Sequence, residues 1–91
     1  MRMQVTLWGL RQTEQEALEA LLDRGDVDYE SRLRPKDKRY DVTFDLDEGV
    51  VYVSVGHDVG KQLLCTVAVD VEDEQEELEV HVLDVEYARE G

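Results

Sequence analysis

Polar and apolar residues alternate through most of this chain, and a period of two favours β-strands over helices. Successive side chains of a strand point to opposite faces, so alternation places the apolar set on one buried face. The pattern predicts strands at residues 1–8, 27–33, 39–46, 50–55, 62–71 and 78–87. In the last of these the alternation changes parity near Val82, which predicts a bulge or a change of packing partner.

The segment "RQTEQEALEALLDRGD" has the helical period instead. Thr13 followed by Glu16 predicts a capping box at its start, and Gly25 predicts its end. The apolar stripe of this helix consists of Ala17, Leu18, Leu21 and Leu22. Short connections join antiparallel neighbours, so the order β-α-β-β-β-β-β predicts an α+β fold. We expect a two-layer sandwich in which one helix packs on a mainly antiparallel sheet of five to six strands.

Parity assigns the strand residues to two faces of that sheet. The predicted core face comprises Tyr40, Val42, Phe44, Leu46, Val51, Val53, Val55, Leu63, Cys65, Val67, Val69 and Val71. The opposite face is predicted to be acidic and wet, and to carry Asp41, Thr43, Asp45, Tyr52, Ser54, Thr66, Ala68 and Asp70, with Glu79 and His81 near the last strand. Cys65 is expected to be a small buried apolar residue.

A length of 91 residues suits a single domain spanning 1–91, with residues 89–91 expected to form a flexible tail. The sequence has no apolar run of the roughly 18 to 20 residues that a membrane-spanning helix needs. Its first ten residues alternate in polarity and lack the apolar block of a signal peptide. The sequence therefore predicts a cytoplasmic protein without a membrane partner.

The formal net charge is −13, from 23 acidic and 10 basic side chains. Such a field repels DNA, RNA and anionic lipid, which argues against direct binding of nucleic acid. The same field attracts a basic surface, including the groove of a protein that normally holds nucleic acid. We therefore expect a basic protein as partner.

The stretch "VDVEDEQEELEV" concentrates the acidity, with six carboxylates in the eight residues from Glu72 to Glu79. A turn or a protected strand edge needs fewer charges than this. Carboxylates two residues apart on a strand repeat roughly every 6.7 Å, close to the roughly 6.8 Å rise of two nucleotides. Such a row would imitate phosphates. The predicted partner-binding residues are Asp41, Asp45, Asp70, Glu72, Asp73, Glu74, Glu76, Glu77 and Glu79.

Half of the basic residues fall in "RLRPKDKRY", which is predicted to be a hairpin tip. A solvated tip explains this composition, and so does a clamp that contacts an acidic patch on a partner. The tip residues are Arg32, Arg34, Lys36, Lys38 and Arg39.

Signatures of catalysis and of cofactor binding are absent from the sequence, which contains neither a glycine-rich phosphate loop nor a serine nucleophile motif. One cysteine and two histidines do not supply a common zinc site. We therefore expect no catalytic residues, no metal and no cofactor.

Two interpretations of the charge follow. The first is a non-enzymatic inhibitor or nucleic-acid-mimic decoy, from a virus or mobile element, that occupies a basic, nucleic-acid-binding surface of another protein. The alternative is a housekeeping or assembly domain of a salt-adapted, halophilic cell, because abundant carboxylates with few lysines keep a surface hydrated at high salt. Mimicry concentrates acids on one face, whereas solvent adaptation spreads them.

Overall fold

A computed structural model of the chain describes residues 2–45, 51–57 and 62–90, excluding the side chains of Asp45, Arg89 and Glu90. Within these ranges the chain forms one α-helix, one short 3-10 helix and seven strands. Their bounds are β1 (Arg2–Trp8), α1 (Gln12–Arg24), β2 (Tyr29–Arg34), η1 (Pro35–Asp37), β3 (Arg39–Asp45), β4 (Val51–His57), β5 (Leu63–Val71), β6 (Glu74–Val82) and β7 (Asp84–Glu90).

The strands form two antiparallel sheets, and this corrects the prediction of a single sheet. The four-stranded sheet has the order β2-β3-β1-β7, and the three-stranded sheet has the order β4-β5-β6. The α+β class is confirmed. The single-sheet prediction failed because alternation shows which face of a strand is buried but not which strand lies beside it.

The predicted change of parity near Val82 marks the passage between the two sheets. Val80 and Val82 of β6 are buried with one parity, whereas Val85 of β7 packs on the core with the other. Between the two strands the chain bends at Leu83, whose N–H donates a hydrogen bond to the Trp8 carbonyl at 2.8 Å. The single strand predicted at 78–87 is therefore two strands in different sheets.

Strand β7 pairs with β1 and extends to the end of the described chain. Arg89 lies opposite Met3, and Glu90 lies opposite Arg2. These two residues fall in the predicted flexible tail, yet their backbone belongs to the four-stranded sheet. Gly91 lies outside the described residues.

Helix α1 begins earlier than the sequence predicts and ends at the predicted residue for a different reason. It starts at Gln12, with Arg11 at the N-cap position and no side-chain capping bond, so the predicted capping box at Thr13 is wrong. The helix ends at Gly25 as predicted, but φ is −80° there, which is accessible to any residue. An added Cβ would lie 3.0 Å from Cγ2 of Val69. Glycine is therefore favoured because the helix end closely approaches β5.

One hydrophobic core joins the helix to both sheets. Leu18, Leu21 and Leu22 are buried in it, whereas Ala17 of the predicted stripe is exposed. The predicted core face is confirmed for most of its strand residues, including Phe44 and Cys65. The buried strand residues of this core are Met3, Val5, Leu7, Tyr40, Val42, Phe44, Val51, Cys65, Val67, Val69, Val80 and Val82.

Two face assignments differ from the prediction. Val55 of β4 is 39% exposed although its parity is that of the core face, and Ala68 of β5 is buried although its parity is that of the wet face. Val55 lies near the end of an edge strand, where the core no longer covers it. Ala68 is small and lies between Tyr52 and Glu77 on the paired strands. Leu46 lies outside the described residues.

Polar contacts hold the helix against strands of both sheets. Ser31 on β2 donates to Glu19 Oε1 at 3.2 Å, and Tyr29 donates to Asp23 Oδ1 at 3.1 Å. On the other sheet, the backbone N–H of His81 donates to Glu14 Oε2 at 3.1 Å. Helix α1 therefore links β2 to β6. In the described part of the chain, α1 is too short and too polar to cross a membrane.

Candidate partner-binding surfaces

The acidic segment forms a tight hairpin. Glu72 and Asp73 alone make the turn between β5 and β6, with φ of 49° and 68°. Two consecutive residues with positive φ define the type I′ hairpin turn, which favours Asn-Gly. Glu74 already belongs to β6, so the prediction of a longer acidic connection is wrong. Most of the carboxylates in this segment therefore lie on β6, where their position in the strand fixes the face of the sheet to which each side chain points.

Three of the predicted partner-binding residues share the solvent-facing side of the three-stranded sheet. Glu77 lies opposite Ala68, Glu79 lies opposite Thr66, and Asp70 lies opposite Gln75. Paired residues of an antiparallel sheet point to the same face. We call the surface made by Asp70, Glu77 and Glu79, with the adjoining turn residues Glu72 and Asp73, the acidic face. All five side chains are exposed.

The acidic face contains no cation among the described residues. None of the ion pairs or side-chain hydrogen bonds in the described ranges involves Asp70, Glu77 or Glu79. Tyr52 extends the same face from β4, opposite Ala68, and is 58% exposed. The face therefore combines carboxylates that form no ion pair within the described residues with an accessible aromatic ring.

Glu74 and Glu76 point to the opposite side of β6. Glu76 lies opposite Val69, whose side chain is in the core, and Glu74 lies opposite Val71. Glu76 accepts a hydrogen bond from Nε of Arg24 at 3.1 Å. This ion pair links the C-terminal end of α1 to β6. The two residues belong to the acidic segment in sequence but not to the acidic face in space.

Asp41 lies in the other sheet, which corrects its predicted place beside the hairpin. Its Oδ1 accepts hydrogen bonds from Thr6 Oγ1 at 2.6 Å and from Arg39 Nε at 2.9 Å. Partial burial raises the pKa of Asp41, but these hydrogen bonds and the nearby guanidinium charges outweigh burial and bring the pKa below its ordinary value. Asp41 is thus part of a structural network.

Asp45 ends the same strand as Asp41, and its side chain lies outside what the structure describes. The sequence predicts that both residues lie on strands next to the acidic hairpin. Strand β3 instead pairs with β1 and β2, so neither residue extends the row of Glu77 and Glu79. Parity had placed Asp41 on the correct side of its own strand, but it carried no information on the neighbouring strands.

The predicted basic tip is the β2–η1–β3 connection. Arg32 lies opposite Asp41, and Arg34 lies opposite Arg39, on the outer side of the four-stranded sheet. The Arg39 guanidinium stacks over the Trp8 ring at 5.3 Å from its centre. Lys36 lies within η1, and Lys38 follows it with φ of 54°. The arginines therefore lie along a sheet face, and the lysines form the exposed tip.

An apolar depression was not predicted from the sequence. It has a volume of about 450 Å³ and lies between the β1–α1 connection, the β2–η1–β3 connection and Leu83. Leu83, 69% exposed, is among the apolar side chains that line it, and Arg11 and Lys38 are its cations. The Cβ of any residue at Gly9 would come within 2.7 Å of Leu83. Its lining comes from separate segments, so no local pattern indicated it.

Cys65 is fully buried, as the sequence indicated. Burial raises the pKa of its thiol to about 11, so the thiol is protonated at neutral pH. Within the described ranges, no three His, Cys, Asp or Glu side chains are grouped as a metal site would require.

Comparison with known proteins gave no matching family model, no matching curated protein and no matching solved structure.

Proposed function

We propose that the protein is a non-enzymatic binding protein whose acidic face occupies a basic surface of another protein. The partner surface is of the kind that normally binds nucleic acid. The protein then acts as an inhibitor or a decoy that mimics nucleic acid, as viruses and mobile elements encode. A cytoplasmic location belongs to the same proposal and is supported by the alternating polarity of the first ten residues.

The observation that supports this proposal is the placement, on one side of the three-stranded sheet, of carboxylates that form no ion pair in the described part of the chain. Asp70, Glu77 and Glu79 share a face without a described cation, whereas Asp41 in the other sheet is held by Arg39 and Thr6. Glu77 and Glu79 lie two residues apart on one strand, which gives a spacing of roughly 6.7 Å. That spacing is near the roughly 6.8 Å rise of two nucleotides.

The turn supports the same proposal. Glu72 and Asp73 adopt positive φ, where a side chain with Cβ costs about 1 kcal/mol or more relative to glycine. Asn-Gly would suit this turn better. The chain thus keeps two carboxylates at the tip of the acidic face at some expense of stability, which is understandable if they contact a partner.

Salt adaptation is the second candidate, and exposed acids elsewhere in the fold favour it. Glu16 on α1 and Asp28 before β2 are exposed and lie outside the acidic face. If acidity only keeps the surface hydrated, every exposed carboxylate contributes alike. The two candidates therefore differ in whether the position of a carboxylate matters.

Two charge-matched variants separate these candidates. Glu77→Lys with Glu79→Lys changes the acidic face, and Glu16→Lys with Asp28→Lys makes the same change in net charge elsewhere. Basic proteins captured from a host lysate on the immobilised native chain would be purified and given fluorescent duplex DNA and RNA. The measured quantity is displacement of the labelled nucleic acid by each variant.

We expect the native chain and the Glu16/Asp28 variant to displace nucleic acid, and the Glu77/Glu79 variant to be at least about tenfold weaker, since close interfacial charge pairs contribute on the order of 1.5 kcal/mol or more. Displacement should weaken as salt rises. Equal losses in both variants would favour salt adaptation. If the native chain displaces no nucleic acid at saturation, the decoy function is wrong.

A further inference from the structure

Strand β4 differs from the rest of this highly charged chain. Its sequence VYVSVGH contains no Asp, Glu, Lys or Arg, although such residues make up 36% of the chain. It lies at one end of the three-stranded sheet and pairs, within the described residues, with β5 alone. Within the described ranges, its outer edge therefore presents backbone N–H and C=O groups that can pair with a further strand.

The remaining sheet edges carry the protection that β4 lacks. Charged side chains, proline, bulges or a covering helix keep strand edges from pairing with another chain. Edge strand β2 bears Glu30, Arg32 and Arg34, and edge strand β7 bears Asp84 and Glu86. On β6, the Glu14 carboxylate of α1 accepts the His81 N–H. Among the described edges, β4 alone is both uncharged and uncovered by the helix.

The sequence of β4 is complementary to itself in an antiparallel pairing centred on Ser54. In that register Val53 of one copy lies opposite Val55 of the other, and Tyr52 lies opposite Gly56. A Cβ placed on Gly56 would meet no atom within 4 Å, so there is open space above it. The exposed Tyr52 ring of the second copy fits that space, as aromatic side chains do over strand glycines.

We propose that two copies of the chain pair through β4 about a two-fold axis, which joins their three-stranded sheets into one six-stranded sheet. The distribution of charge permits this. Glu77 and Glu79 lie on β6, two strand spacings or about 10 Å from the pairing edge. Each copy carries a net charge of −13, so repulsion opposes the dimer and added salt strengthens it.

This proposal is independent of the function proposed above, and salt distinguishes the two. Binding of a basic partner weakens as salt rises, whereas pairing of two acidic copies strengthens. The test is sedimentation equilibrium of the native chain over a range of concentrations, in low and high KCl. We expect a monomer–dimer equilibrium whose dissociation constant falls as KCl rises.

The variant Ser54→Lys places an ammonium group on the two-fold axis, facing its copy. Thr66→Lys is the matched control, because Thr66 lies opposite Ser54 on the same face but on the central strand. Both side chains have solvent access, so circular dichroism should show native-like folding of both variants. We expect Ser54→Lys to weaken the dimer at least about tenfold and Thr66→Lys to retain it.

A third variant checks the register. Ser54→Cys brings two thiols together across the axis, at the 4.5–5.5 Å Cα separation of antiparallel pairs, roughly the range a disulfide allows. We expect oxidation to yield a covalent dimer from Ser54→Cys and not from Thr66→Cys. A native chain that stays monomeric in high KCl overturns the proposal. A dimer unaffected by Ser54→Lys, or unlimited growth beyond the dimer, overturns it as well.

Discussion

Carboxylates on the outer faces of the two sheets differ in their surroundings. On the four-stranded sheet, Asp41 accepts hydrogen bonds from Thr6 and Arg39, and Arg39 in turn covers Trp8. On the three-stranded sheet, Glu77 and Glu79 point into solvent with no described cation beside them. The net charge of the chain does not distinguish a carboxylate that is hydrogen-bonded within the fold from one that faces solvent. In this fold, strand pairing decides whether a carboxylate lies beside hydrogen-bond donors of the same chain or faces solvent.

A core truncation tests whether the two sheets are one structural unit beneath these faces. Phe44 of the four-stranded sheet is 2% exposed, in the same core as Val69 of the three-stranded sheet. We expect Phe44→Ala to lower the free energy of unfolding by about 3–5 kcal/mol, measured in urea by fluorescence and circular dichroism. The two probes should report one transition.

The control for this truncation is Tyr52→Ala, because Tyr52 is an aromatic residue of the exposed face. Its loss should cost far less than the loss of Phe44. Separate transitions in the Phe44 variant would mean that the sheets unfold independently. Equal costs for the two aromatic residues would contradict the assignment of inner and outer faces.

Removing one carboxylate charge from each sheet compares directly what the two outer faces contribute to the free energy of unfolding. Asp41→Asn weakens the charged hydrogen bonds from Thr6 and Arg39, and should lower the free energy of unfolding by about 1–2 kcal/mol. Glu79→Gln removes an exposed carboxylate without a described partner, so its effect should be within about 0.5 kcal/mol. Urea unfolding at pH 7 and low salt measures both.

The effect of Asp41 should also depend on pH in a known direction. Its pKa is lower in the folded than in the unfolded chain, so ionised Asp41 stabilises the fold above the unfolded value. That contribution is lost as the pH falls through the folded pKa. The gap in stability between the native chain and Asp41→Asn should therefore close in acid. A gap that persists there would mean that shape, not charge, explains it.

Replacing the two residues of the acidic turn should stabilise the fold, whereas replacing Asp41 should destabilise it. Glu72→Asn with Asp73→Gly supplies the residues that a type I′ turn favours, and should raise the free energy of unfolding by about 1 kcal/mol. Thermal unfolding measures the gain, and Glu74→Gln on the adjoining strand is a control for loss of charge. If Glu74→Gln stabilises as much, relief of repulsion and not backbone conformation is the cause.

Local pattern predicted much of the architecture. Most strand boundaries lie within one or two residues of the prediction, because Tyr40, Val42 and Phe44 alternate cleanly with polar residues. The capping box at Thr13 failed because the helix begins earlier, at Gln12. The polarity of Glu74 and Glu76 predicts a loop, but both residues belong to β6 because the turn consists of Glu72 and Asp73 alone.

The candidate site was predictable only within one hairpin. Asp70, Glu77 and Glu79 share a face because β5 and β6 are consecutive strands joined by a tight turn. Asp41 was misplaced because β3 and β4 are consecutive in sequence but belong to different sheets. Partners that are distant along the chain are set by packing of the whole core, which periodicity does not record.

The pairing of β1 with β7 determines the order in which this fold can assemble. Trp8 lies opposite Asp84, and Arg2 lies opposite Glu90, so these contacts close loops that span most of the chain. Closing long loops is entropically costly and slows folding. The β5–β6 hairpin, closed by a two-residue turn, is by contrast a local contact that forms rapidly. We therefore expect the hairpin that carries the acidic face to form early, and the four-stranded sheet to be completed only when β7 docks beside β1.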